Sequence, residues 1–202
     1  MQGEGANVGR PAVFLRFAGC NLWSGREEDR ATGVCTFCDT DFVGTDGPGG
    51  GRFATARELA TAVASRWPST LSGRIRAFVV CTGGEPLLQL DEPLIQSLHE
   101  AGFEVAVETN GTRLPPSEID WVCVSPKAGA ELVLRSGDEL KLVFPQAGAE
   151  PELYEGLAFR HFFLQPMDGP DRERNSRLTA LYCLENPLWR LSLQTHKLIG
   201  LP

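Results

Sequence analysis

The chain has 202 residues, of which 42% are hydrophobic, and this is enough for one well-buried domain. Its formal net charge of −7 argues against a sequence-independent nucleic-acid binder, because such a protein needs a basic surface that attracts phosphate. The first residues lack a secretory signal pattern, and no segment approaches the roughly 20 apolar residues of a membrane span, so we expect a cytoplasmic protein without a membrane partner.

Short apolar segments rich in Val, Phe and Leu alternate with helical patterns along the chain. Strands are predicted at 11–17, 75–82, 103–109, 120–125, 140–144 and 161–165, with a terminal strand at 190–195. Helices are predicted at 55–67, 91–102 and 172–186. Polar connections rich in Gly and Pro interrupt the alternation in the middle of the chain. We therefore expect an α/β fold with a parallel sheet that closes only partly into a barrel.

Three cysteines follow the first predicted strand with the spacing CX14CX2C: Cys20, Cys35 and Cys38. A structural zinc ion takes four ligands, so zinc would require a further cysteine or one of the three histidines. A four-iron cluster fits better, because three cysteines bind three irons and leave one iron open to another ligand. The other cysteines lie in apolar patterns and are predicted to be small buried residues, namely Cys81, Cys123 and Cys183.

Polar groups also follow the later strands, at the edge of the sheet where active sites of α/β folds form. The second strand ends in TGGEP, 82–86, where the glycines allow a close backbone approach and the carboxylate could attract an ammonium group. A plain strand-to-helix turn is the alternative for this motif. Three further segments end strands with polar side chains: VETNG at 107–111, VSPK at 124–127 and LQPMD at 164–168.

Together these residues resemble the radical S-adenosylmethionine (SAM) superfamily. The likeness is carried by FLRFAGCNLW, CTFCDT and TGGEP, and the opening QGEG makes the chain similar to the 7-carboxy-7-deazaguanine synthase family of the queuosine pathway. Most radical SAM enzymes have the spacing CX3CX2C, whereas here Ser24 stands four residues after Cys20 and a longer loop brings in Cys35. The resemblance covers essentially the whole chain and implies a partial, truncated (β6/α3)-like radical SAM barrel.

The resemblance implies three cofactors, namely a 4Fe–4S cluster on the three cysteines, SAM, and Mg²⁺. It implies that the hydroxyl of Thr40 binds the Mg²⁺, although Thr40 is also suited to a helix N-cap. The residues that it implies for SAM binding are Phe37, Cys38, Asp39, Gly83, Gly84, Glu85, Glu108, Asn110, Ser125, Pro126, Lys127, Gln165, Pro166, Met167 and Asp168. No side chain is expected to act as a catalyst beyond the radical that the cofactors supply.

The implied substrate is 6-carboxy-5,6,7,8-tetrahydropterin. The residues expected to bind it are Gln2, Gly3, Glu4, Arg16, Thr82, His196 and Pro202. Glu4 suits the donors of the aminopyrimidine edge, and Arg16 suits the substrate carboxylate. The alternatives are that the N-terminal QGEG is frayed and that the C-terminal tail, 196–202, is exposed.

The implied reaction is a radical lyase reaction with hydrogen abstraction at C6, ring contraction and loss of ammonia, in which SAM is used catalytically. The family further implies a homodimer and a flavodoxin- or ferredoxin-like reductant. We expect one domain over 1–202, with a cluster-binding loop at 19–40 and the tail at 196–202 closing the site. The alternatives are an activase of a glycyl-radical enzyme and a non-catalytic zinc or iron–sulfur binding module.

Overall fold

The computed structural model describes residues 1–71 and 73–201, which contain one parallel sheet of seven strands in chain order. The strands are β1 Val13–Phe17, β2 Ala77–Gly83, β3 Phe103–Thr109, β4 Trp121–Val124, β5 Ser136–Phe144, β6 Ala158–Pro166 and β7 Trp189–Leu191. Each strand pairs in parallel with the next, and no pairing joins β7 to β1 in the described part of the chain. The sheet is therefore an open, partial barrel, as expected.

The three predicted helices are present, and a one-turn helix follows the last strand. The helices are α1 Ala56–Ala64, α2 Glu92–Glu100, α3 Arg172–Glu185 and α4 Thr195–Leu198. Side-chain caps start α1 and α2, since Thr55 and Asp91 accept from backbone N–H groups three residues later. No helix among the described residues has the length and apolar character required to cross a bilayer.

Two strands begin earlier than the sequence predicts: β5 at Ser136 instead of 140 and β6 at Ala158 instead of 161. The added residues include Glu139, whose carboxylate points into the barrel, so the segment alternates between polar and apolar instead of being continuously apolar. At the C-terminal end, β7 stops at Leu191, because residues 195–198 turn into α4.

The alternation of side chains gives the sheet two different faces. The outer face buries Val79, Val105 and Leu164 in two apolar cores, of which the first is covered by α1 and α2. The inner face carries polar side chains such as Glu108 and Lys141, and it lines a cavity. The fold thus places the polar residues of successive strands around one space.

The three cysteines outside the cluster motif differ in burial. Cys81 lies fully buried on the outer face of β2, as predicted. Cys123 is also buried, but it lies on the inner face of β4 and its thiol donates to Glu139 Oε1 at 3.5 Å. Cys183 is only half-buried, because α3 is covered on one side alone, so the prediction of a buried residue is wrong for Cys183.

Candidate active site

A cavity of about 670 Å³ lies at the carboxyl ends of the strands. The N-terminal segment, the cysteine loop, the strand ends and the C-terminal helix all contribute to its walls. The residues expected from the sequence that line it are Gln2, Glu4, Arg16, Cys20, Cys35, Phe37, Cys38, Asp39, Thr40, Thr82, Gly83, Gly84, Glu108, Asn110, Ser125, Lys127, Gln165, Pro166, Met167, Asp168 and His196. The residues expected to bind the cluster, SAM and the substrate thus line one cavity.

Three residues expected at the site do not line this cavity: Gly3, Glu85 and Pro126. Gly3 lies directly behind His196, and a Cβ atom at this position would overlap the imidazole ring. Pro126 is buried, and its carbonyl accepts from the amide of Gln146 at 3.5 Å. The last expected residue, Pro202, falls outside the described residues.

The three cysteines of the motif face the same cavity. The neighbouring thiols of Cys35 and Cys38 influence each other, which lowers the pKa of Cys38 to about 6 and raises the pKa of Cys35. Among the described residues, no three His, Cys, Asp or Glu side chains are grouped closely enough to hold a single metal ion. A four-iron cluster spreads its thiolates over three irons, so three thiols that border one cavity suit a cluster better than one zinc ion.

The long segment between Cys20 and Cys35 folds back on itself and supports the second half of the motif. It contains the 3-10 helix Glu27–Thr32, and the backbone N–H of Val34 donates to Leu22 O at 2.9 Å. Arg30 stacks over the ring of Trp23 at 4.1 Å. Its guanidinium also donates to the carbonyls of Thr36 and Cys38, at 2.9 and 3.1 Å. Arg30 therefore holds the CX2C turn in place.

We expect Arg30→Met to loosen the CX2C turn, because the variant loses charge-assisted hydrogen bonds to two backbone carbonyls. Release of iron from the reconstituted protein to a colorimetric chelator should become roughly 10-fold faster. Arg26→Met is the matched control, since Arg26 lies in the same loop with its side chain 69% exposed. Equal release rates for both variants would show that Arg30 does not support the cluster site.

The two glycines of TGGEP allow β2 to approach backbone atoms of the preceding strand and loop. Gly83 has a φ of 137°, and a Cβ atom there would overlap the backbone of Phe17. A Cβ atom at Gly84 would overlap the carbonyl of Gly19, next to Cys20. The sequence predicts a close backbone approach to a ligand at this motif. The structure adds a close approach between the motif and the cluster loop itself.

Glu85, the carboxylate of TGGEP, is hydrogen-bonded within the protein. Its side chain is fully buried, and its carboxylate accepts from Leu87 N at 3.0 Å, Thr109 Oγ1 at 2.7 Å and Asn110 N at 2.8 Å. These three hydrogen bonds tie the TGGEP turn to the end of β3. A contact of the Glu85 carboxylate with the ammonium group of SAM stays a prediction.

The N-terminal QGEG is buried, so the frayed alternative is wrong. Gln2 N donates to Arg10 O at 2.8 Å, and the backbone N–H of Ala6 donates to Glu139 Oε2 at 2.9 Å. The amide of Gln2 donates to Glu108 Oε1 at 2.9 Å. The resemblance implies Glu108 for SAM binding, whereas these contacts connect it with residues expected at the substrate.

The C-terminal helix α4 folds back over this N-terminal segment. Thr195 donates to Gly3 O from its backbone N–H at 3.0 Å and from its hydroxyl at 2.8 Å, and the next residue, His196, lines the cavity. The exposed-tail alternative holds for the end of α4 and the residues that follow it, since Leu198 and Ile199 are each 61% exposed.

Lys197 of the same helix connects the cysteine loop with the segment that follows β6. Its ammonium contacts Asp39 of the cysteine loop and Asp168 after β6, each at 2.6 Å. Burial opposes ionisation of Asp39, but the contact with Lys197 outweighs it and lowers the pKa of that carboxyl, and the same lysine lowers the pKa of Asp168. Both aspartates are expected at SAM, and the sequence contains no local signal for the lysine between them.

Other expected residues have defined surroundings at the cavity wall. Lys127 donates to the carbonyl and hydroxyl oxygens of Ser125, at 2.6 and 2.7 Å, and burial lowers the pKa of its ammonium. The amide of Asn110 donates to Asn21 Oδ1 at 3.0 Å. Thr40 precedes no helix, so the N-cap alternative is wrong for this residue.

Comparison with known proteins places the chain in a family. No family model matches it. It is 62% identical over 202 residues to the 7-carboxy-7-deazaguanine synthase of Caulobacter vibrioides and 64% identical over 202 residues to that of Bordetella pertussis, covering all of this chain and 95% of each relative. A crystal structure of QueE from Escherichia coli superimposes with a TM-score of 0.71 at 27% identity, over 97% of this chain and 90% of that one. Because such identity extends over the whole of this chain and 95% of each relative, the chain belongs to the 7-carboxy-7-deazaguanine synthase family.

Proposed function

We propose that the chain converts 6-carboxy-5,6,7,8-tetrahydropterin to 7-carboxy-7-deazaguanine, with hydrogen abstraction at C6, ring contraction, loss of ammonia and catalytic use of SAM. The observation that carries this proposal is the shared cavity: three thiols of the cluster motif border it, and so do Glu4, Glu108 and Arg16. A radical site and a polar wall for a heterocycle thus lie within reach of one another.

The family is one of radical SAM enzymes, which implies an iron–sulfur cluster and SAM as cofactors. Cys20, Cys35 and Cys38 would hold the cluster, and the residues around TGGEP and the later strand ends would hold SAM. When bound, these groups supply the radical that removes hydrogen from the substrate. The protein itself positions the pterin and shields it from water.

Two kinds of charged residue in the cavity suit the proposed substrate. Arg16 forms no ion pair with any described residue, so its guanidinium is available to the substrate carboxylate. Burial opposes ionisation of Glu4, but the ammonium of Lys141 and the hydrogen bonds from Lys141 and Gln194 outweigh it and lower the pKa of Glu4 to about 2. Glu4 is therefore an anionic acceptor, which suits the N–H groups of the aminopyrimidine ring.

We expect Arg16→Ala to weaken binding of 6-carboxytetrahydropterin by about 2 kcal/mol, or roughly 30-fold, because the substrate carboxylate loses its cation. Anaerobic calorimetry on the reconstituted protein measures this dissociation constant. Arg57→Ala is the control, since Arg57 lies on the exposed face of α1 and outside the cavity. Unchanged affinity in Arg16→Ala would remove Arg16 from the substrate site.

The proposed reaction is tested by an anaerobic assay of the reconstituted protein with SAM, dithionite, Mg²⁺ and 6-carboxytetrahydropterin. Mass spectrometry follows 7-carboxy-7-deazaguanine and 5′-deoxyadenosine. The expected result is product in large excess over 5′-deoxyadenosine. Accumulation of 5′-deoxyadenosine without product would mean a radical SAM enzyme with another substrate, such as an activase. Absence of both compounds with an intact cluster would favour a binding module.

Four finer properties belong to the same proposal. Thr40 would bind Mg²⁺, supported by its place in the cavity wall beside Cys38, and a chelator should lower the rate. The chain would form a homodimer, supported by apolar side chains that α3 exposes, among them Leu184 at 81% exposure.

A flavodoxin- or ferredoxin-like protein would reduce the cluster. A cytoplasmic location suits the six free cysteines.

A further inference from the structure

The inner face of β5 carries a buried cation between two carboxylates. Lys141 is 5% exposed, and its Nζ lies 2.5 Å from Glu4 Oε2 and 3.4 Å from Glu108 Oε1. All three side chains line the cavity. Burial of an ion pair is costly, and apolar residues of similar volume would stabilise a core at least as well. A function in ligand binding is therefore a better explanation of this cluster than stability.

The two carboxylates are also held in place by other donors. Gln194 Nε2 donates to Glu4 Oε1 at 3.0 Å. Gln2 Nε2 donates to Glu108 Oε1 at 2.9 Å, and Thr82 Oγ1 donates to Glu108 Oε2 at 3.2 Å. A carboxylate has about four acceptor positions, so each of these groups keeps acceptor capacity for a ligand in the cavity. The arrangement is a fixed row of acceptor, donor and acceptor.

Lys141 keeps one donor for a ligand. An ammonium group has three N–H bonds, of which Glu4 and Glu108 engage two. A ligand that matches Glu4, Lys141 and Glu108 therefore needs one hydrogen-bond acceptor with a donor on each side of it. The 2-amino-4-oxo ring of a tetrahydropterin has such an edge, because its oxygen O4 lies between the N3–H and the N5–H groups.

We propose that Lys141 is the specificity-determining residue of the pterin site and donates to O4, while Glu4 and Glu108 accept from the N–H groups on either side. This proposal rests on the proposed function and deepens it. It also predicts discrimination: a 4-amino group in place of O4 presents donors to the ammonium. Since a hydrogen bond to a charged group is lost, the 2,4-diamino analogue should bind roughly 10- to 150-fold more weakly.

The test compares dissociation constants of 6-carboxytetrahydropterin and its 2,4-diamino analogue, measured by anaerobic calorimetry on the cluster-loaded protein. The wild type should prefer the 4-oxo compound by roughly 10- to 150-fold. Lys141→Met should reduce this preference to within about 3-fold, because its thioether cannot donate. Lys141→Arg keeps charge and donors and should retain the preference. The wild-type ratio and the arginine variant still test the proposal if the methionine variant does not fold.

Two outcomes would overturn the proposal while leaving the proposed function intact. One is a wild type that converts the 4-oxo compound yet binds both compounds equally well. The other is a Lys141→Met variant that binds both compounds more weakly with an unchanged ratio, which would leave Lys141 as a residue that merely positions Glu4 and Glu108. A wild type that binds neither compound would show that the proposed function itself is wrong, and the assignment of Lys141 would be wrong with it.

Discussion

Cys35→Ala is expected to lose the iron–sulfur cluster, reducing the iron bound after anaerobic reconstitution from about four atoms per chain to a small residue. Cys35 is 5% exposed and lies with Cys20 and Cys38 at the wall of the cavity. An iron without its thiolate would be bound only by the cluster sulfides and solvent, and such a site is labile. Iron and sulfide analysis together with the visible absorption spectrum measures the loss, and SAM cleavage should disappear with it.

Cys183→Ala is the control for this experiment. Cys183 is a half-buried thiol on α3 that does not line the cavity, so its variant should bind as much iron as the wild type. A full four-iron content in Cys35→Ala would contradict the ligand assignment. Cys123 would then be the next candidate ligand, because its thiol also borders the cavity.

Gly83→Ala is expected to destabilise the protein by about 2–5 kcal/mol, the sum of left-handed backbone strain and steric overlap. Residue 83 has a φ of 137°, and the atoms that a Cβ would meet belong to the backbone of Phe17. Phe17 is the pairing partner of Gly83 in the sheet, so relief of the overlap requires separation of β1 from β2. Urea unfolding monitored by circular dichroism measures the loss.

Gly102→Ala is the matched control, because it introduces the left-handed backbone strain without the steric overlap. Gly102 has a φ of 86°, and no atom lies within 4 Å of a Cβ atom at this position. Its substitution should cost only the strain, about 1–2 kcal/mol. Equal losses in the two variants would show that the backbone around Gly83 adjusts. The Gly83→Ala variant should also bind less iron–sulfur cluster than Gly102→Ala does, because the TGGEP turn contacts the loop that carries Cys20.

Element prediction works best where apolar residues dominate a strand. The strands at 103–109 and 120–125 are predicted to within a residue, because both segments consist mainly of apolar residues. The first residues of β5 were missed, since Glu139 interrupts the apolar pattern. A charged side chain inside a barrel gives the same local signal as a loop residue.

Lys141 illustrates a second limit of local patterns. A lysine in the apolar segment LKLVF is unusual, and that signal was present in the sequence. Its partner Glu4, however, is 137 residues away, and the pair forms only because the N-terminal segment enters the barrel beside β5. The role of the lysine therefore depends on a contact that no spacing rule describes.

The sequence by itself determined the alternation of strands and helices, the CX14CX2C motif after β1, and the glycines at the end of β2, because each depends on residues close together in the chain. Only the tertiary structure decided that Glu85 accepts from the end of β3, that Lys197 joins Asp39 to Asp168, and that Lys141 lies between two carboxylates. These outcomes follow from contacts between distant segments, since the direction of a buried polar side chain is set by the donors and acceptors that the folded chain brings to it.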